Sequence, residues 1–138
     1  MTHEQQYMCE TQKELFEYAQ RNVVDIRQYA CDFLKSDFCN RCLDVRYSVY
    51  QYSDMMEWLD FLEKDCKIKP DAFQKDRVPF HVAGWLGYTY RQIWAETGLK
   101  SKDIIEKVAP NKLIISYPGL HTVDEDMAID IIIKDFGL

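Results

Sequence analysis

No run of about 18 consecutive apolar residues occurs in this 138-residue chain, so an α-helical membrane span is excluded. The opening Met-Thr-His-Glu-Gln-Gln is polar and unlike a secretory signal, which makes the cytoplasm the expected location. Basic clusters are scarce as well. The formal net charge is −6, and Lys100 to Lys112 sets four lysines against Asp103 and Glu106, a modest surplus. A nucleic-acid surface, which works by letting Lys and Arg displace counterions from phosphates, is therefore not expected. The chain has no phosphate loop, no G-x-G-x-x-G, no H-E-x-x-H and no G-x-S-x-G. Its 5 cysteines are an odd number in a chain without a signal, so reduced thiols are expected rather than a disulfide framework. Neither an internal repeat nor a low-complexity tract is visible.

What is present is apolar and aromatic. Residues of the apolar class make up 47% of the chain and aromatics 14%, enough for burial to offset chain entropy without a partner. The length matches the commonest size of one domain. A single helical domain over residues 1–138 is expected, in two halves, 1–69 and 70–138, joined by a charged loop from Pro70 through Asp71 to Arg77.

Helical periodicity runs along most of this length. From Glu4 to Arg21, Tyr7, Met8, Leu15, Phe16, Tyr18 and Ala19 share one stripe. Asn22 is the expected cap of a second helix carrying Val23, Ile26, Ala30, Phe33 and Leu34 and ending near Lys35, and Ser36 that of a short one through Leu43. Arg46 to Tyr52 alternates β-branched and aromatic residues, so a short β element competes with helix there. Ser53 precedes a helix from Asp54 to Lys67 with Met55, Leu59, Leu62 and Cys66 on one face. Pro79 opens a helix over Phe80 to Thr97, with Gly98 as its C-terminal cap. Ser101 restarts a short helix that Pro110 ends, Asn111 begins a brief segment to Tyr117, and Pro118-Gly119 marks a turn. Thr122 and Glu125 have the spacing of a capping box for a last helix to Phe136, stopped at Gly137. The expected fold is mainly α: a compact bundle of five to seven short helices, with residues 46–52 as the one candidate β element.

Three constellations bear on chemistry. Cys31, Cys39 and Cys42 have a C-x7-C-x2-C spacing that a fourth ligand would complete into a zinc or redox site; against this, zinc sites normally pair two knuckles, and small reduced core thiols explain the residues as well. His81, His121 and Arg91, with a tyrosine, would make an enzyme if the fold brought them into one cleft. Asp124, Glu125, Asp126 and Asp130 resemble a metal cluster but sit where a helix N-terminus favours acids. No cofactor is implied.

The most informative segment is Gly84-Trp85-Leu86-Gly87-Tyr88. Two glycines inside a helix cost roughly 1 kcal/mol each relative to alanine, so some close contact should compensate. Ala83, Gly84 and Gly87 form a small-residue face for an approaching backbone. Trp85, Tyr88 and Gln92 project from a different face at i, i+3 and i+7, where they are either core or, if exposed, a hot-spot patch. Two acid-rich helices, with five acids each in Asp54 to Asp65 and Thr122 to Leu138, favour a basic partner.

In Gly87-Tyr88-Thr89-Tyr90-Arg91, Thr97-Gly98-Leu99-Lys100-Ser101-Lys102-Asp103-Ile104 and Tyr117-Pro118-Gly119-Leu120-His121-Thr122, the chain resembles small bacterial proteins of toxin–antitoxin gene pairs. The resemblance covers residues 79 to 135 and carries no catalytic residue with it. It implies an antitoxin-like or regulatory protein whose partner is a protein, a toxin encoded nearby, although a second copy of the chain is another candidate. The expected function is a protein-interaction module that masks a basic partner, with Trp85, Tyr88, Gln92, Asp124 and Asp126 as partner-binding residues. The cysteine site and the His81/His121/Arg91 enzyme are the alternatives.

Overall fold

The small-residue stripe of the long central helix decides how the molecule is assembled. The computed structural model describes residues 1–22, 25–64 and 78–138. In it, helix α1 (His3–Asn22) packs along helix α4 (Phe80–Thr97), the most extensive contact between any two elements described. A Cβ on Gly87 would lie 2.7 Å from the backbone carbonyl oxygen of Gln12 and 2.7 Å from the ring of Phe16, so only glycine lets the two backbones come this close. The amide of Gln12 donates to the Gly87 carbonyl at 2.9 Å, and Arg91, one turn further, donates through Nε to the Gln12 side-chain oxygen at 2.8 Å. Gly84, Gly87 and Arg91 thus form one stripe of α4 turned toward α1.

Around this pair lie α2 (Ile26–Leu34), α3 (Met55–Lys64), α5 (Ser101–Lys107), α6 (Pro110–Leu120) and α7 (Glu125–Asp135). The fold is mainly α, as the periodicity implies, and no strand occurs among the described residues. One hydrophobic cluster draws on both halves of the chain: Leu15, Phe16 and Phe33 meet Trp58 and Leu62, and the same cluster holds Leu86, Tyr90, Ile104, Leu113 and Ile129. Its aromatic end mixes stacked and edge-to-face pairs, the latter including Phe16 against Phe33 at 5.6 Å and Phe38 against Trp58 at 5.5 Å between ring centroids, geometries that suit the ring quadrupole.

Several local expectations are corrected. Residues 46–52 contain no β element: Val49–Tyr52 is a short 3-10 turn after Ser48, whose hydroxyl accepts from the Tyr50 amide at 3.2 Å. Backbone carbonyls in and just before this turn also accept from side chains. Gln51 donates to the carbonyls of Leu43 and Val45 at 3.1 and 2.8 Å, and the Trp58 indole donates to that of Tyr50 at 2.8 Å. Pro118-Gly119 is no turn either, because both lie inside α6 and the helix runs on to Leu120. Proline removes one donor there, but the next turn closes through the His121 amide on the Tyr117 carbonyl at 3.0 Å.

Caps also move. Asp25, not Asn22, caps α2, Asp54 accepts from the Glu57 amide at the start of α3, and Asp124 rather than Thr122 caps α7. Thr122 instead donates to the Gly119 carbonyl at 2.8 Å. Asn111 accepts from Arg27 Nε at 3.2 Å and caps nothing. Gly98 ends α4 at φ 72, the left-handed conformation expected of it. The charged loop Pro70 to Arg77, the helix end Asp65 to Lys67 and Val23 lie outside the described residues.

Candidate functional site

Four helical stripes converge on one groove. The stripe of α4 beside the glycine face carries His81, Trp85, Tyr88 and Gln92, spaced i, i+4, i+7 and i+11. Opposite it α1 contributes Glu10, Lys13 and Glu17, α6 contributes Tyr117 and Leu120 followed by His121, and α7 contributes Glu125, Ala128, Ile129 and Ile132. Together they line an open groove of about 390 Å³. That size is at the lower end of the roughly 300–1,000 Å³ typical of ligand pockets.

The wall is aromatic. Tyr117 meets Trp85 edge-on at 5.2 Å, lies 5.7 Å from the His81 ring, and stacks on His121 at 4.2 Å with an interplanar angle of 8°. The His121 Nδ1 is 2.7 Å from the Tyr117 carbonyl. A carbonyl only accepts, so Nδ1 is the donor in this contact, which in the neutral tautomer leaves the lone pair on Nε2.

The rim is acidic. Glu10, Glu17 and Glu125 face the groove against Lys13, and among the described residues none of the three is in an ion pair. The Tyr88 hydroxyl donates to Glu125 Oε2 at 3.2 Å. Burial first, and the Glu125 carboxylate second, push the Tyr88 phenol above its ordinary range, so it stays a neutral donor. Glu17 lies directly over Gly84, where a Cβ would be 2.8 Å from its Cγ. Partial burial there raises its carboxyl above the usual range, with Lys13 and Arg21 opposing and Glu14 and Glu10 adding to the shift.

Of the residues singled out by sequence, Trp85, Tyr88 and Gln92 come together in the groove; Trp85 is half-buried, and Tyr88 and Gln92 are buried at its base. Asp124 and Asp126 do not line it. Both are exposed at the start of α7, where the Asp124 carboxylate accepts from the Asp126 amide at 2.9 Å. Their neighbour Glu125 is the acid that points inward. Glu10, Lys13, Glu17 and Tyr117 were not singled out by sequence; the i, i+3, i+7 spacing of the first three is the signal they carry, legible only once α1 is known to face α4.

The alternatives separate clearly. His81 and His121 share the groove, but Arg91 is fully buried on the other stripe of α4, bound to Asp44 through Nη1 at 2.8 Å and to Ser101 through Nη2 at 3.2 Å. Cys39 packs on this network, 3.5 Å from Arg91 Nη2, and burial pushes its thiol up to about 12. Cys31 and Cys42 are partly exposed at the cluster edge, and no group of three or more His, Cys, Asp or Glu among the described residues is arranged to hold a metal. No protein-family model, curated protein or solved structure matches the chain.

Proposed function

We propose that this protein is an interaction module that binds and masks a partner protein through the groove between α1, α4, α6 and α7, in the manner of an antitoxin. One observation carries the reading: a concave, aromatic-walled surface whose three carboxylates face a single ammonium. Tryptophan and tyrosine lining a pocket are among the side chains that dominate interface energetics, and carboxylates in excess of cations favour a basic partner. The antitoxin part rests on the resemblance of residues 79 to 135. Co-expression with the product of the adjacent gene tests both: a stoichiometric complex that is lost with Trp85→Ala and kept with the exposed change Lys64→Ala supports the proposal. A neighbouring product that never associates, or a complex indifferent to Trp85→Ala, counts against it.

A second reading, an enzyme using the same groove, draws on the contact of His121 Nδ1 with the Tyr117 carbonyl at 2.7 Å, which in the neutral tautomer turns the Nε2 lone pair outward as a base. Its test is the intact mass of the partner after incubation: covalent change with the native chain and none with His121→Ala would establish it.

A further inference from the structure

The groove joins two features that single out one kind of side chain. Its aromatic wall, Trp85 and Tyr117, offers ring surface, and its rim offers carboxylate oxygens at Glu17 and Glu125. A lysine ammonium satisfies the charge but not the plane. A guanidinium does both, because it stacks on rings while its donors fork onto carboxylates.

The chain uses this pairing internally. Arg91 lies between the Asp44 carboxylate at 2.8 Å and the Trp94 ring at 5.1 Å, and Arg21, on the last turn of α1, lies 4.4 Å over the Phe80 ring. Neither arginine lines the groove, where the lining cation is Lys13. Glu17 is partly buried there while Glu125 stays exposed, and no arginine lines the groove beside them. At about 390 Å³ the space suits one long side chain with its flanking backbone rather than a docked helix, which needs several pockets along a longer trough.

We infer that the groove receives one arginine side chain of the partner protein, its guanidinium stacking on the Trp85 ring beside Tyr117 and bonding to Glu17 and Glu125. This rests on the interaction reading above and specifies its chemistry.

Titration of the full chain with N-acetyl-arginine methylamide, followed by the indole N–H resonances, tests the inference. The Trp85 signal should shift saturably, while those of Trp58 and Trp94 should not. The lysine analogue should bind at least ~5-fold more weakly, since it cannot stack and fork at once. The neutral citrulline analogue, the same shape without the charge, should give no saturable shift. Glu17→Gln and Glu125→Gln should each weaken the arginine probe ~5-fold, a part of what a fully desolvated charge-assisted hydrogen bond contributes. Citrulline binding as tightly as arginine, or no saturable Trp85 shift with arginine, overturns the inference. The partner complex separates the two levels. Loss of the complex with Trp85→Ala, but tolerance of every Arg→Gln change on the partner's interface, would leave the interaction reading standing and sink the guanidinium. A complex indifferent to Trp85→Ala sinks both.

Discussion

Arg91 has no exposed surface, so its guanidinium must find every partner inside the protein. Gln12, Asp44 and Ser101 supply them, and Asp44 is itself held by the Ser101 amide at 2.8 Å and hydroxyl at 2.7 Å. Removing one member of such a pair leaves a buried charge unmatched, which costs about 3–5 kcal/mol. Arg91→Leu and Asp44→Ala should each lower stability on that scale in urea unfolding, and the double variant should lose clearly less than the sum. The two helical glycines should part company. Gly87→Ala drives a methyl into the backbone of Gln12 and should cost about 1–3 kcal/mol by overpacking. At Gly84 the obstacle is the flexible Glu17 side chain, which can swing away, so Gly84→Ala should be neutral or stabilising by up to about 1 kcal/mol from helix propensity. Its effect should appear in the groove instead, as weaker arginine-probe binding. Cys9 and Cys39, each raised to about 12 by burial, should resist iodoacetamide at pH 8 in the folded chain and react on unfolding, read by peptide mass mapping. That behaviour is opposite to that of a redox pair at Cys39 and Cys42.

At the scale of elements, the groove is four stripes, and each stripe was readable only in part. The face of α4 bearing Trp85, Tyr88 and Gln92 follows from spacing alone, as does the glycine face beside it. What spacing cannot give is the opposite wall, because a stripe such as Glu10, Lys13 and Glu17 looks like any solvated helix surface until the Gly87 contact turns α1 toward α4. The turn expected at Pro118-Gly119 failed for a local reason: proline and glycine near a helix end remove little hydrogen bonding, and the chain gains by continuing so that Tyr117 and His121, four residues apart, stack. At α2, α3 and α7 an aspartate one to three residues beyond Asn22, Ser53 and Thr122 takes the amide in a charge-assisted bond, whereas Ser36 keeps the cap expected of it, accepting from the Cys39 amide at 3.2 Å. Glu17 connects the element to pH. Its folded carboxyl is raised, so the folded chain holds that proton more tightly than the unfolded one. The associated stability is greatest below the unfolded value and is lost as pH rises through the folded one. Glu17→Gln should therefore be neutral or stabilising at pH 7 while weakening the probe. Binding of the cation requires the ionised form, so probe affinity should rise with pH through that raised range, in titrations that hold salt constant.

Taken whole, the molecule carries a formal charge of −6, and no helix among the described residues is long and apolar enough to cross a membrane. A basic partner would be drawn in by this field, so association should slow as salt is raised, with dissociation much less affected, a split that stopped-flow mixing measures directly. The contact between Gln12 and Gly87 spans 75 residues of sequence. Local helices form in microseconds, but this one cannot find its seat until the chain has been made far beyond it. At about 5–20 residues per second of synthesis, α1 waits roughly 4–15 s for Gly87 to be built. For that interval the α4-facing side of α1 has no native partner, and Leu15, Phe16 and Ala19 have only earlier-made residues such as Phe33 and Trp58 to lie against. During synthesis, final assembly thus waits on the making of α4 rather than on helix formation, and the groove, whose first wall is α1, cannot exist until α1 and α4 have met.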